Sequence, residues 1–211
     1  MPPFPASGES DYMSEAFDLG LGQLGRTRPN PPVGCVIVKD GEIVGRGATG
    51  NGGRPHAEEI ALDQAGDAAR GATAYVTLEP CGERSTGAAS CSQRLVEAGV
   101  ARVIYACADP SPFASHKGPG RLQSAGVAVE IGLLADKSRV LIDGFVHFLD
   151  TGRPLVVESD GGHFDAEYVS DADDLEADLK AWGTRGYRTL FVWTGGELAK
   201  RLRAQGLLGS N

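Results

Sequence analysis

Three short segments carry residues suited to chemistry: Pro55-His56-Ala57-Glu58, Thr77-Leu78-Glu79-Pro80-Cys81, and Cys91. One histidine and two cysteines supply three ligands for a zinc ion. That leaves a fourth position for water, as a catalytic rather than a structural zinc requires. Glu58, two residues from His56, is placed to move protons without binding the metal. His56, Cys81 and Cys91 are therefore the candidate zinc ligands and Glu58 the candidate catalytic residue. Residues two apart on a helix point roughly 200° apart, so the metal must sit above a helix end, with Glu59 turned away from it. The other two cysteines, Cys35 and Cys107, lie inside apolar runs and read as small core residues.

Those residues need elements that bring them together. Tyr12, Ala16 and Leu19 recur at helical spacing over Asp11–Leu24, with Ser10 as N-cap, and RTRPNPP ends that helix. Val33–Val38 reads as a buried strand, Asp40-Gly41 as a two-residue hairpin turn, and Glu42–Arg46 as its partner. A helix starts near Pro55, proline being favoured at the first helical position. Strands at Ala74–Leu78, Val103–Ala108 and Val127–Ile131 alternate with helices at 89–98 and 120–125, and a last helix spans Ala135–Leu149. Strands separated by single helices pair in parallel. The fold class is an α/β/α sandwich on a mixed sheet. His56 and Cys91 fall at helix N-termini and Cys81 just past a strand end, the edge where open α/β sheets gather ligands.

Three regions divide the chain: a flexible lead-in at 1–10, a main domain at 11–154, and a C-terminal segment at 155–211. In the last, Glu158–Asp178 is rich in acid with no Lys or Arg and reads as a solvated face or loop. Thr189–Trp193 reads as a strand and Glu197–Leu207 as a helix, with Gly195-Gly196 a structural turn.

Composition excludes some roles. The net charge of −8 argues against nucleic acid as partner. No apolar run is long enough to span a membrane, and MPPFPASGES lacks the features of a secretory leader. Four cysteines in 211 residues are too few for a disulfide scaffold, so a cytoplasmic location is expected.

Taken in order, NPPVGCVIVKDG (30–41), PHAE (55–58), GATAYVTLEPC (71–81), AGVARV (98–103), DPSP (109–112) and AGVAV with GLL (125–134) resemble the cytidine-deaminase-like superfamily. More narrowly, they resemble the deaminase domain of the bifunctional pyrimidine deaminase/reductase of riboflavin biosynthesis. In tRNA and free-nucleoside deaminases two residues separate the cysteines. The riboflavin family has a long insertion there, as does this chain. The resemblance implies a cytidine-deaminase-like fold, a Zn2+ cofactor on His56, Cys81 and Cys91, and Glu58 as proton shuttle. It implies hydrolytic deamination of a small-molecule aminopyrimidine nucleotide, first of all the diaminopyrimidine ribosyl phosphate, in a homo-oligomer such as a dimer. Asn30 would contact the pyrimidine, and Asp109 would shape the pocket wall or serve as a turn residue before Pro110. The insertion here, CGERSTGAASC, lacks the family's histidine and Pro-Pro, and Thr49 stands where the family often has another histidine. Both positions lie where the ribose phosphate would bind. Arg54, Arg84 and Lys117 are the candidate phosphate contacts, Arg84 first, with a solvated surface arginine as its alternative. GYRTLFVWTGGELAKRLRAQGLL (186–208) resembles the end of the family's reductase. This implies a reductase reduced to a strand and helix, without reductase activity, and leaves room for a separate reductase partner. Two other readings stay open: a deaminase of another base or nucleotide, and a catalytically silent scaffold subunit.

Overall fold

The computed structural model describes residues 8–84, 87–111 and 117–209; the first seven residues of the expected lead-in lie outside them. The chain opens with α1 (Glu9–Leu21), which starts after Gly8 in a left-handed conformation. Ser10 is therefore inside the helix rather than capping it. The hairpin β1 (Gly34–Lys39) and β2 (Glu42–Ala48) turns through Asp40 and Gly41, both at positive φ (52° and 85°), as a tight hairpin turn demands. Next come α2 (Ala57–Ala65), β3 (Thr73–Leu78), α3 (Cys91–Glu97), β4 (Arg102–Cys107), α4 (Lys117–Ser124) and β5 (Ala128–Ile131). The five strands form one sheet in the order β2-β1-β3-β4-β5, with β1 antiparallel to both neighbours and β3, β4 and β5 parallel.

Alternation along the strands sends side chains to two cores. Cys35, Ile37, Ala74, Val76, Val103 and Tyr105 meet α2, α3 and α4 through Ala61, Leu95 and Leu122. Val36, Val38, Tyr75, Ile104 and Ala106 meet α1 through Met13, Ala16 and Phe17. Two glycines set the approach of α2 to β2. A Cβ at Gly45 or Gly47 would lie 2.2 or 2.0 Å from the carbonyl oxygens of Ala61 and Ala57. No larger residue lets that helix, and the histidine that caps it, sit so close.

The expected helix over 135–149 is broken. A short α5 (Ala135–Ser138) passes through a 3-10 turn at Arg139–Leu141 into α6 (Asp143–Thr151). The break turns Leu141 and Ile142 into the core.

The C-terminal segment is more than one strand and one helix. It holds β6 (Leu155–Glu158), β7 (Ala166–Glu167), α7 (Leu175–Thr184), β8 (Thr189–Val192) and α8 (Glu197–Ala204), which ends three residues before the expected boundary. The strands form a second, all-parallel sheet in the order β6-β8-β7. Val156, Tyr168, Leu175, Leu179, Leu190, Val192 and Leu202 build its own core. The acidic stretch is thus not simply a loop. It contains β7 and the start of α7, where the Asp174 carboxylate accepts the Ala177 N–H at 3.0 Å. Glu176 and Asp178 then sit in the first turn, where negative charge meets the positive end of the helix dipole. Among the described residues, no helix is long and apolar enough to cross a membrane.

Candidate active site

The first ligand candidate is set by the helix it begins. His56 has extended backbone (φ −74°, ψ 158°) and is the N-cap of α2, so the helix begins near Pro55, at Ala57. The Glu59 carboxylate accepts the His56 backbone N–H at 2.8 Å, which fixes the entry to the helix. Cys91 is the first residue of α3, behind Ser90, whose hydroxyl accepts the Gln93 N–H at 3.3 Å. Cys81 follows the C-terminal end of β3, and its sulfur accepts the Cys91 backbone N–H at 3.2 Å.

These elements bring three donor atoms together. His56 Nδ1 lies 3.3 Å from Cys91 Sγ and 3.9 Å from Cys81 Sγ, and all three lie within 4.8 Å of one another. Zn–N near 2.0 Å and Zn–S near 2.3 Å place tetrahedral N and S ligands roughly 3.5 Å apart. The donor set fits zinc in chemistry and in spacing. Cys81 is held low, at about 4, first by the hydrogen bond from Cys91 and then, against burial, by His56. Cys91 is pushed up by that same shared hydrogen and by burial.

Glu58 is 4% exposed, and burial raises its carboxyl above the ordinary range although the charge of His56 pulls it down. Both residues line one cavity of about 150 Å³ with Asn30, Thr49, Cys81 and Asp109. The Asn30 amide donates to the Gly53 carbonyl at 3.1 Å. The Thr49 hydroxyl accepts the Val33 N–H at 2.9 Å. Asp109 lines the cavity and accepts the Ser111 N–H at 2.8 Å.

Arg84 departs from expectation. Its side chain is 6% exposed, and Nη2 lies 2.6 Å from Glu59 and 3.5 Å from Cys91 Sγ. It is not a solvated arginine: it lines the cavity with its charge already matched by Glu59. Burial works against the charge on Glu59, but the hydrogen bond from Arg84 and that from the His56 backbone hold its carboxyl at about 2. The Glu59 carboxylate thus joins the His56 backbone to Arg84 and, through it, to the Cys91 sulfur. Lys117 is exposed and pairs with Glu83 at 2.8 Å. Arg54 is exposed and lines the cavity.

Two participants have no signal in the sequence. Arg121 Nη1 lies 2.7, 2.6 and 2.7 Å from Gly82 O, Ser90 Oγ and Ser92 Oγ, tying the segments that carry the two cysteines. Phe145, from α6, forms part of the cavity wall. It follows the break at 139–142, which a sequence pattern does not show.

Residues 7–107 match the family model described as the cytidine and deoxycytidylate deaminase zinc-binding region. The riboflavin biosynthesis protein RibD of Escherichia coli is 50% identical over 147 residues, covering 69% of this chain and 39% of that protein. The chloroplastic riboflavin biosynthesis protein PYRD of Arabidopsis thaliana is 42% identical over 148 residues, covering 70% and 34%. This chain therefore spans about two fifths or less of the length of these relatives. Among solved structures, Acinetobacter baumannii RibD superposes with a TM-score of 0.79 at 26% identity, covering 94% of this chain and 84% of that one. A Thermotoga maritima structure with a TM-score of 0.81 at 22% identity shares the fold, over 93% and 83%.

Proposed function

We propose, from the premise that this chain belongs through its first domain to the cytidine-deaminase-like superfamily, that it is a hydrolytic deaminase of an aminopyrimidine nucleotide. The substrate proposed is the diaminopyrimidine ribosyl phosphate of riboflavin biosynthesis, the pathway for which the E. coli and A. thaliana relatives are named. The observation that carries the reading is the meeting of His56, Cys81 and Cys91 beside the buried Glu58 on the cavity that Asn30 also lines.

His56, Cys81 and Cys91 would hold zinc, which supplies Lewis-acid activation of water near neutral pH. The protein's own residues do the rest. Asn30 holds the ring edge. Glu58 takes a proton from water and delivers it to the exocyclic amine. A carbon–oxygen bond forms at the amine-bearing ring carbon, the carbon–nitrogen bond breaks, and ammonia leaves. Burial of Glu58 keeps bulk water from competing for that proton. The phosphate, near −2 in charge, needs a cation at the rim. Arg54 takes that part, since Arg84 and Lys117 are engaged with Glu59 and Glu83.

The C-terminal unit is read as a shortened counterpart of the relatives' second domain. The match to A. baumannii RibD over 94% of this chain supports that reading. Among the described residues its sheet has three strands, short of the two βαβ halves that form a dinucleotide crevice. A separate reductase as partner is part of this reading. Homodimeric assembly belongs to the same reading and is checked by light scattering. The central test is metal analysis with ammonia release on a panel of aminopyrimidines with and without ribosyl phosphate. A zinc-replete protein that releases no ammonia from any of them overturns the proposal.

A further inference from the structure

The C-terminal unit does not merely follow the first domain. It presses on two parts of the cavity wall. The first is the turn between α1 and β1 that ends at Asn30. Within that turn the Thr27 hydroxyl donates to Asn30 O at 2.8 Å, and the Gly52 N–H donates to Arg26 O at 2.8 Å. The outer side of the turn rests on the C-terminal unit. A Cβ on Gly25 would lie 2.3 Å from the carbonyl oxygen of Phe164, so the two backbones are in direct contact. The Arg28 guanidinium stacks 4.1 Å from the centre of the Tyr187 ring.

The second part is the start of α6. A Cβ on Gly144 would lie 2.8 Å from the carbonyl oxygen of Arg188 and 2.3 Å from Thr189 Cγ2. Phe145, the next residue, lines the cavity. The strand start beneath is itself fixed, because the Asp165 carboxylate accepts the Arg188 and Thr189 N–H groups at 2.6 and 3.0 Å. Both contacts converge on one small region, residues 164–165 and 187–189, which touches none of the ligand candidates.

We propose that the C-terminal α/β unit is a positioning element of the pyrimidine pocket, holding the Asn30 turn through Arg28 and Tyr187 and the Phe145 wall through Gly144. This rests on the deaminase reading for its kinetic consequence but not for its structural one. The unit sets how well the pocket holds the ring and leaves the metal ligands alone. Its role is positional, since none of its residues touches the reacting atoms.

The test uses the full chain with Arg28→Ala and Tyr187→Ala, against Arg28→Lys and Tyr187→Phe, which keep the cation and the ring. Arg28 is exposed, so its loss leaves folding intact. Each alanine variant should raise KM roughly two- to fivefold, the scale of an exposed cation–π contact, with kcat and zinc content unchanged. The double variant should be no worse than the poorer single one, and the conservative variants should restore KM. Amide exchange at Asn30 and Gly52 should quicken in the alanine variants while β3 is unaffected. Unchanged KM in zinc-loaded alanine variants overturns the proposal, as does a fall in kcat or zinc at constant KM. If the wild-type protein deaminates nothing, the deaminase reading fails by itself. Exchange then decides the positional role, and unchanged exchange at Asn30 and Gly52 overturns it.

Discussion

Arg84 and Glu59 form an ion pair at 2.6 Å, with side chains 6% and 13% exposed, and Arg84 also reaches the Cys91 sulfur at 3.5 Å. Glu59 also pairs with Arg94 at 3.0 Å, and Arg94 with Asp63 at 2.7 Å. The chain of charges runs from the protein surface to the Cys91 sulfur. An arginine from the segment between Cys81 and Cys91 thus touches a candidate ligand.

Arg84→Ala should therefore weaken zinc binding rather than substrate binding. Loss of an outer partner of a metal ligand typically costs 10- to 100-fold in affinity. Chelator competition measures it. A variant with normal zinc affinity but a selectively raised KM for phosphorylated substrates would return Arg84 to the rim.

Arg54→Ala should do what Arg84→Ala does not. Its KM for a phosphorylated aminopyrimidine should rise roughly 10- to 150-fold, the equivalent of the about 1.5–3 kcal/mol of a charge-assisted contact. The dephosphorylated substrate should be unaffected, and matched steady-state kinetics on the two forms check this.

Glu58→Gln should keep zinc and fold but lose turnover by about 10²–10⁴-fold, the usual contribution of a general acid–base. Stoichiometric metal with single-turnover rates distinguishes this from a folding defect. Substantial residual activity would reassign the proton transfer.

Cys81→Ala and Cys91→Ala should each lose zinc. A chelator should lower the melting temperature of the wild-type protein and leave that of Cys91→Ala unchanged, because metal binding to the folded state is folding free energy. Stoichiometric zinc in Cys91→Ala would remove that residue from the site.

The C-terminal unit should loosen in alkali. Tyr168 is 1% exposed, and burial, with the bond to Asp178 at 2.7 Å, pushes its phenol up to about 12. A raised folded pKa means its contribution is complete below the unfolded value near 10 and lost as pH rises toward 12. Both tryptophans lie in this unit, and Trp182 stacks edge-on against Tyr168 at 5.8 Å. Tryptophan fluorescence should therefore follow the loss between pH 10 and 12, and Tyr168→Phe should reduce it.

The ligand candidates were legible because each stands beside a strong local signal. His56 opens a helix, Cys81 follows a strand and Cys91 begins the next helix, so local structure alone puts them at one sheet edge. Uninterrupted apolar runs within 34–39 and 102–107 likewise mark strands buried on both faces, and the Asp40-Gly41 turn marks the antiparallel hairpin. The α7 helix was legible in principle, through Asp174 as cap and Leu175 and Leu179 four apart, but the density of acid around it reads as solvated loop.

The amino-acid sequence by itself determined the element order through β5, the cluster of one histidine, two cysteines and a glutamate as ligand and proton-transfer candidates, and the family resemblance. These depend on contacts between near neighbours, which spacing encodes. Only the tertiary structure decided that Arg84 turns inward to Glu59, that Arg121 ties both cysteine segments, and that the C-terminal unit bears on Asn30 and Phe145. Where a long side chain points depends on which distant carboxylate, hydroxyl or ring it meets, as with Arg28 over Tyr187. No periodicity in the chain records such a meeting.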